Sequence, residues 1–419
     1  MLKNQRSIVF FIFLFLGPTI WGSSLNSFCH LDAQKSSGLG IRGTNIDQKL
    51  PIASVSKLIT SYWALIEKGR DYRFYTKVFY RKNVDGTGIV HIQGGNDPYF
   101  SKEFLHLVIS ELNLKGIKSV KELSFDEKFK FVWNINSTAV AVGDYTPESP
   151  TPDDVLRNLL RVKNLTTDYS KTLAFAKEHG ISMVATAQLL VKKFSFLKTT
   201  EFHSDGFEFM TFRSSPLSVL LKEMNRNSNN YSANIIFESV GGAKDFKKFI
   251  ENRLKLTTDD IEIFNGSGNK LSIEGSGNYN SARCSVVLKI LIDFDNVLKA
   301  QSLKFEDIVS VVGADVTSSS SNLYNNEVTE NSVIAKTGTV SPAILLAGVI
   351  STKKGNVYFM YNMKTNGTRR DWRDAQRKIK LQITNLIQKE YNGGVPISYQ
   401  AIKFIPFDKE SEESTEEMP

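Results

Sequence analysis

The chain has 419 residues, of which 41% are hydrophobic and 23% are charged. This composition excludes a disordered chain and a mostly membrane-embedded one, and the length suits two domains or one domain with an insertion. The formal net charge is +8, and it is +11 for residues 25–407, because the last twelve residues carry −5 and the first 24 carry +2. This basic body favours an anionic polymer as neighbour. Nucleic acid is not expected, since no nucleic-acid-binding motif occurs.

The first 24 residues, MLKNQRSIVFFIFLFLGPTIWGSS, combine a basic start, an apolar run and small residues at the end. This order is typical of a secretory signal peptide and predicts cleavage after Ser24, hence a periplasmic or otherwise exported protein. An uncleaved membrane anchor is the alternative. Cys29 and Cys284 are the only cysteines. They could pair in an oxidising compartment or remain two buried thiols, and they cannot form a metal-ligand set.

Further along the chain, the hydrophobic pattern predicts helices and strands in alternation. It predicts a buried helix over 51–69, two strands around the turn at 85–86, helices over 97–116 and 168–180, and two helices separated by a polar break within 215–242. Three strands with turns at 338–339 and 354–355 follow within 333–363, and a final helix covers 371–391. A helix-rich middle, late antiparallel strands and a closing helix indicate an α+β fold.

Near the start of the first helix, Ser54 precedes Lys57 by three residues, one helical turn. Both side chains should share a face, where a buried lysine of lowered pKa would accept the serine proton. The pattern Ser-x-x-Lys is common, and it also starts at Ser195, Ser267 and Ser351. Taken alone, it fits equally a serine at a helix start with a lysine that extends to solvent.

Two further motifs favour catalysis. Ser228 and Asn230 form a Ser-x-Asn motif in the polar break between the two helices of 215–242. Lys336, Thr337 and Gly338 form the only Lys-Thr-Gly sequence in the chain, in a predicted core strand. Ser-x-x-Lys, a Ser-x-Asn triplet and Lys-Thr-Gly, in this order, are the motifs of serine β-lactamases and penicillin-binding proteins.

The likeness extends beyond the triplets. LPIASVSKLITSYWALIEKG, GIVHIQGGNDPYF, SSPLSVLLKEMNRNSNNYSANIIF, FNGSGNKLS and AKTGTVSPAILLAGVI are similar to blocks of the class C low-molecular-mass penicillin-binding proteins, the penicillin-binding protein 4 type of D-Ala-D-Ala carboxypeptidase and endopeptidase. The resemblance runs with gaps from about 44 to 392. It implies an α+β transpeptidase-like catalytic domain, with an antiparallel sheet flanked by helices, a helical region and an inserted α/β subdomain.

On this resemblance the chain divides into a signal peptide (1–24), a catalytic domain (25–75 and 205–400), an insertion (76–204) and an acidic disordered tail (401–419). Only 170 residues separate Lys57 from Ser228, so the insertion is shorter than the family's. The segment VVGADVTSSS also departs from the family pattern Gly-x-Asp-Gly-Thr, because Val316 replaces the second glycine.

The resemblance also implies a mechanism and its residues. Ser54 would attack the D-Ala carbonyl, with Lys57 as proton acceptor. Ser228 would relay that proton to the leaving amine, and Asn230 would hold the substrate amide. Lys336 would supply positive potential, Thr337 and Thr339 would bind the substrate carboxylate, and the backbone N–H groups of Ser54 and Thr339 would form the oxyanion hole.

The implied substrates are peptidoglycan stem peptides, with β-lactams as covalent inhibitors and neither metal nor organic cofactor. A DD-peptidase that acts as carboxypeptidase, as endopeptidase on D-Ala–diaminopimelate cross-links, or as both is therefore expected. The shortened insertion should expose the serine and favour cross-linked substrates. A β-lactamase of the same fold and an inactive wall-binding relative are the alternatives. A serine–histidine–aspartate hydrolase is disfavoured by the absence of a Gly-x-Ser-x-Gly motif.

Overall fold

A computed structural model describes residues 26–32, 40–132, 141–142, 160, 162–273, 276–401 and 404–407. The signal peptide predicted over 1–24 therefore lies outside the described residues. The strands in these ranges are β1 Ser27–Asp32, β2 Arg42–Thr44, β3 Lys49–Pro51, β4 Tyr75–Lys82, β5 Gly88–Gln93, β6 Ser119–Phe125, β7 Phe131–Val132, β8 Ala141–Val142, β9 Leu190–Phe196, β10 Glu208–Arg213, β11 Ile261–Glu262, β12 Leu271–Ile273, β13 Ser276–Asn278, β14 Ser281–Arg283, β15 Val333–Val340, β16 Ala343–Thr352 and β17 Gly355–Lys364.

The α-helices in the same ranges are α1 Ser56–Lys68, α2 Lys102–Leu114, α3 Val162–Glu178, α4 Leu217–Asn227, α5 Asn230–Ser239, α6 Gly242–Leu254, α7 Cys284–Ala300, α8 Phe305–Ile308, α9 Ser319–Tyr324 and α10 Arg369–Asn385. A 3₁₀ turn, Ala53–Val55, precedes α1, and a π-helical turn, Leu386–Glu390, follows α10. None of the described helices is long and apolar enough to cross a membrane.

The main sheet is antiparallel, in the order β15-β16-β17-β1-β2. The second strand in this order, β16, is buried along almost its whole length, because both faces of the sheet are covered. Leu345 and Val349 pack into a core with α1 and with α4–α7, while Ile344 and Leu346 pack against α10. This alternation follows the two-residue period of a strand. The α+β transpeptidase-like fold expected from the sequence is confirmed.

Two predicted boundaries in the catalytic region are wrong. The turn expected at 338–339 is absent, because the pairing of β15 with β16 continues to the partners Val340 and Ala343. The chain therefore reverses at 341–342, three residues later than expected. The first helix does not begin at Pro51, because the 3₁₀ turn comes first and the left-handed φ of Ala53, 44°, ends any regular helix there.

A second sheet lies in the order β10-β4-β5-β6-β9. Strands β5, β6 and β9 are parallel neighbours, with α2 in the β5–β6 crossover and α3 in the β6–β9 crossover. This is the layout of an α/β unit. Strand β10 pairs with β4, so residues up to 213 belong to this sheet, although the sequence placed residues from 205 onward in the catalytic domain.

Two long-range contacts close the fold near the termini. Cys29 on β1 and Cys284 at the start of α7 form a disulfide across 255 residues, which settles the alternative left open by the sequence. Phe404 and Phe407 are buried, and Phe407 bridges to Ser214. The predicted disordered tail is therefore wrong for these two residues, since an aromatic pair in a core is ordered, and residues 408–419 lie outside the described ranges.

Candidate active site

Three elements meet at one cavity. The 3₁₀ turn carries Ser54, and the first turn of α1 carries Lys57. The junction of α4 and α5 carries Ser228, whose φ of 54° is left-handed and turns the chain sharply, and Asn230 is the first residue of α5. The edge strand β15 carries the segment from Lys336 to Thr339. The structure thus brings together all the residues that the sequence singled out.

The amine of Lys57 is held by three oxygen atoms. Its Nζ lies 3.0 Å from Ser54 Oγ, 2.7 Å from Asn230 Oδ1 and 3.1 Å from the carbonyl oxygen of Ser267. The side chain is fully buried. The Asn230 amide oxygen and the Ser267 carbonyl can only accept hydrogen bonds, whereas the Ser54 hydroxyl can also donate. A neutral amine therefore gives its two N–H groups to these acceptors and directs its lone pair at the Ser54 proton.

Burial of Lys57 also favours the neutral form of its amine. Removal from water, reinforced by the positive charge of Lys336, holds the pKa of Lys57 well below that of an exposed lysine. Burial alone lowers the pKa of Lys336 to about 7. Two ammonium groups in one dry site repel each other, so the site favours one charged and one neutral lysine near neutral pH.

Lys336 connects the other two elements. Its Nζ donates to Ser228 Oγ at 2.9 Å and to the carbonyl oxygen of Thr337 at 3.0 Å. The ammonium thus holds the left-handed Ser228 in place and adds positive potential where a substrate carboxylate would bind. Thr337 and Thr339 both line the cavity, although only Thr339 is exposed.

The glycine of the Lys-Thr-Gly motif permits close packing between β15 and the 3₁₀ turn. A Cβ atom at Gly338 would lie 3.2 Å from both Ala53 Cβ and the Ile52 carbonyl oxygen. This contact brings the edge of β15 to Ser54. The N–H of Ala335 points away from β16 and donates to the carbonyl oxygen of Ser310. Alternate residues of a strand point their N–H groups the same way, so the N–H of Thr339 also points away from β16, toward the cavity.

Ser54 supplies a second backbone donor. It lies in the first turn of a helical segment, where N–H groups have no partner within the helix. The edge N–H of Thr339 and this N–H can therefore face one oxygen atom together, which is the arrangement required of an oxyanion hole.

The cavity has a volume of about 600 Å³. Besides residues predicted from the sequence, its lining includes Tyr231, Asn234, Asn269, Ser319 and Leu323. Asn234 follows Asn230 by one turn of α5, so helical periodicity would have found it. The carbonyl of Ser267 carries no sequence signal, since any residue could provide it. It is oriented because Asn234 Oδ1 accepts the N–H of Ser267 at 3.0 Å.

The segment 311–320, in which Val316 replaces a family glycine, is nevertheless held in place by a buried side chain. Asp315 is buried, and its carboxylate accepts from Lys222 Nζ at 2.8 Å and from Tyr399 Oη at 3.1 Å. Lys222 lies on α4, the helix that ends at Ser228. Val316 extends into solvent, so the missing glycine does not disturb this anchor.

The described residues contain no cluster of three or more histidine, cysteine, aspartate or glutamate side chains that could hold a metal ion. A serine whose proton faces a buried amine, beside two backbone donors and a buried cationic lysine, can form an ester with an acyl group and hydrolyse it. Fold and site together define a penicillin-binding-type serine hydrolase.

Comparison with known proteins places the chain within this class. The sequence matches the D-Ala-D-Ala carboxypeptidase 3 (S13) family over residues 34–130 and 189–388. The chain belongs to this family, as the sequence motifs predicted. A search of the curated protein sequences gave no match.

Solved structures include similar proteins. The predatory peptidoglycan endopeptidase Bd3459 of Bdellovibrio bacteriovorus, solved in complex with an immunity protein, is 34% identical, with a TM-score of 0.81 over 91% of this chain and 97% of that one. Bd0816, a second predatory endopeptidase of that organism, is 32% identical, with a TM-score of 0.81 over 91% of this chain and 98% of that one. Penicillin binding protein 4 of Haemophilus influenzae shares the fold at 16% identity, with a TM-score of 0.56 over 87% of this chain and 97% of that one.

The chain is accordingly a serine-type DD-peptidase of peptidoglycan that acts through an acyl-enzyme and reacts with β-lactams. Because peptidoglycan lies outside the cytoplasmic membrane, the enzyme acts there.

Proposed function

We propose that this DD-peptidase is an endopeptidase in which Ser54 is the nucleophile and Lys57 its base. The observation that carries the proposal is the set of contacts around Lys57 Nζ, because two fixed acceptors leave Ser54 Oγ as the one neighbour able to give up a proton. The endopeptidase assignment is supported by the 34% identical predatory endopeptidase and by a cavity that opens along the edge of β15.

In the first half of the reaction, Ser54 Oγ attacks the D-Ala carbonyl carbon as its proton passes to Lys57. The developing negative charge on the carbonyl oxygen is bound by the N–H groups of Ser54 and Thr339. Asn230 holds the substrate amide. The C–N bond then breaks, and Ser228 passes to the leaving amine the proton that Lys57 took from Ser54, which leaves Lys57 neutral again. The Ser228 hydroxyl lies between the cavity and Lys336.

In the second half, water attacks the ester at Ser54. Lys57 takes a proton from that water and returns one to Ser54 Oγ as the acyl group leaves. Earlier, during acylation, the carboxylate of the leaving segment is held by Thr337, Thr339 and the ammonium of Lys336. Lys336 thus serves substrate binding, whereas Lys57 serves proton transfer.

The proposal includes export, with a signal peptide over 1–24 cleaved after Ser24. The disulfide between Cys29 and Cys284 supports this, because such bonds persist in oxidising compartments. N-terminal sequencing of the protein recovered from the periplasm tests the cleavage site, and a mature chain that begins at Met1 would contradict it.

The test of function is product analysis on purified cross-linked muropeptide dimers, with residues 25–419 and a Ser54→Ala control. We expect conversion of dimers to monomers, absent in the control. Release of only terminal D-Ala from pentapeptides would overturn the endopeptidase assignment, and equal turnover by the control would overturn the role of Ser54.

A further inference from the structure

We propose that the open face of the second sheet carries an additional peptidoglycan-binding cleft, which takes a sugar ring together with a stem-peptide carboxylate. The inference depends on the proposed function in one respect, the choice of peptidoglycan as the bound polymer. The cleft is lined by Tyr75, Lys77, Gln93, Asn96 and Lys128, with Gly94 and Gly95 between them, and has a volume of about 340 Å³. None of these residues belongs to the cavity at Ser54.

Strand β4 has two dissimilar faces. Val78 and Tyr80 point into a core with α2 and α3. Tyr75, Lys77 and Phe79 alternate with them and therefore face the opposite side. Tyr75 is 51% exposed, although an aromatic ring on a strand is normally packed. An exposed aromatic beside a lysine on a sheet face is a surface that suits recognition better than core packing.

The lysine and amide side chains of the cleft form no hydrogen bond and no close ion pair in the described part of the chain. There, Lys77 and Lys128 form no ion pair, and the side-chain amides of Gln93 and Asn96 form no hydrogen bond. Lys77 instead lies over the ring of Phe209, with Nζ 5.3 Å from its centroid. Two ammonium groups and two amides thus point into one concave space with their hydrogen-bonding capacity unused.

The floor of the cleft is a close backbone contact. A Cβ atom at Gly95 would lie 1.8 Å from the Tyr75 carbonyl oxygen, and one at Gly94 would lie 2.0 Å from the Phe129 nitrogen. Asn96, with a left-handed φ of 56°, ends this segment. Only glycines allow these backbone segments to approach so closely, so the floor of the cleft is set by backbone contacts before any ligand binds.

These groups select the chemistry of the ligand. The face of an exposed tyrosine ring packs on the apolar face of a sugar, while side-chain amides exchange hydrogen bonds with hydroxyl and acetamido groups. Ammonium groups bind carboxylates. A polymer that offers sugar rings, acetamido groups and carboxylates together is peptidoglycan, which the basic body of the chain also favours.

The remainder of this face is closed, which limits the site to the end near the catalytic domain. The ring of Phe202 stacks on His91 at 3.8 Å, and Arg81 lies 4.6 Å from the ring centroid of Phe207. At the open end, the chain runs from Asn96 to Pro98, whose carbonyl oxygen accepts from Ser232 Oγ at 3.0 Å. Ser232 is two residues beyond Asn230, so a glycan held in the cleft lies beside the domain that cuts its peptide.

The test measures binding to purified peptidoglycan sacculi by cosedimentation, with every protein carrying Ser54→Ala so that nothing is cut. We expect Lys77→Gln with Lys128→Gln, and separately Tyr75→Ala, to weaken binding about tenfold, the loss typical of one good polar contact or more. Lys118→Gln with Lys192→Gln removes the same charge from exposed positions of the same insertion and should lose less than twofold by comparison, since surface charges away from a site contribute little.

Binding equal to that of the parent in both cleft variants would overturn the proposal. An equal loss in the Lys118 and Lys192 control would also overturn it, because the attraction would then depend on net charge alone. In parallel, the rate of penicillin acylation is measured for the cleft variants with Ser54 restored. An acylation loss as large as the loss of binding would show that the substitutions damage the whole protein, which would overturn the proposal. Because binding is measured without turnover, its outcome is independent of whether Ser54 proves to be an endopeptidase nucleophile.

Discussion

At the scale of single residues, reactivity depends on how Lys57 keeps its lone pair directed at Ser54. The two acceptors that fix the amine come from distant parts of the chain, Asn230 and Ser267, 173 and 210 residues away. Both contacts need segments outside α1, so the arrangement of the proposed base is produced by the fold and would be absent from an isolated helix. Burial of the amine supplies the lowered pKa, and the same burial explains why the helix around it is so apolar.

Replacement of Lys57 by methionine removes the base and keeps most of the side-chain volume. We expect acylation by penicillin to fall by about a hundredfold to ten-thousandfold, the range for loss of a positioned general base. The measurement is the rate of acyl-enzyme formation by intact mass. Lys68→Met, at the other end of the same helix, is the control, and an equal loss in both variants would contradict the role of Lys57.

The pH dependence should separate the two lysines. Because the pKa of Lys336 is about 7, its ammonium is present below that pH and is lost above it, so binding of a substrate carboxylate should weaken as pH rises through 7. We expect kcat/KM for a peptide ending in a free carboxylate to fall above about pH 7 relative to the same peptide as its amide. A constant ratio between the two substrates from pH 5 to 9 would show that Lys336 does not contact the carboxylate.

Much of this site could be predicted from residue types and order, and part could not. Ser54, Lys57, Ser228, Asn230 and the Lys-Thr-Gly segment carry side-chain chemistry that has a sequence signature. The carbonyl of Ser267 has none, and neither has the left-handed φ of Ala53, because both are properties of the assembled backbone. The sequence predicts a turn at Gly338, since glycine is typical of turns, whereas the structure shows that the close contact with Ala53 is what requires glycine there.

At the scale of elements, the position of Ser54, the proposed nucleophile, depends on close contacts between loops and the 3₁₀ turn. Gly268, in the loop that offers the Ser267 carbonyl, lies against the carbonyl oxygen of Ala53, and a Cβ atom there would be 1.9 Å from it. The φ of Gly268 is 77°. One small residue therefore sets the spacing between the base, its acceptor and Ser54.

The substitution Gly268→Ala should both destabilise the protein and slow acylation, because the added methyl must displace Ala53. Gly86→Ala is a matched control: its φ is 76°, but a Cβ atom there meets nothing within 4 Å, so it bears only the backbone strain of about 1 kcal/mol. Thermal unfolding and penicillin acylation are measured for both. Indistinguishable behaviour of the two variants would show that the contact with Ala53 is unimportant.

At the scale of the whole molecule, the catalytic domain is closed by contacts between its first described strand and segments far along the chain. The disulfide joins the first described strand to α7, and β1 pairs with β17 near the other end of the chain. The sequence could not predict the pairing of the cysteines, because no local pattern brings residues 255 apart together. The strand order of the second sheet could not be predicted from the sequence either, because β10 begins 126 residues after the end of its partner β4.

Removal of the disulfide by Cys29→Ser with Cys284→Ser should lower the free energy of unfolding by about 2 to 5 kcal/mol, because the crosslink restricts a long loop of the unfolded chain. Denaturant unfolding with and without reductant measures this. The variant should be insensitive to reductant, and a wild-type protein equally stable in reductant would contradict the prediction.

The most direct test of the central claim, that Ser54 is the nucleophile of this enzyme, is peptide mapping by mass spectrometry after reaction with penicillin. The account predicts one adduct, on the peptide that contains Ser54, and none on the peptides with the other Ser-x-x-Lys serines, Ser195, Ser267 and Ser351. The adduct should be absent from Ser54→Ala. An adduct on another serine, or one that persists in that variant, would contradict the account.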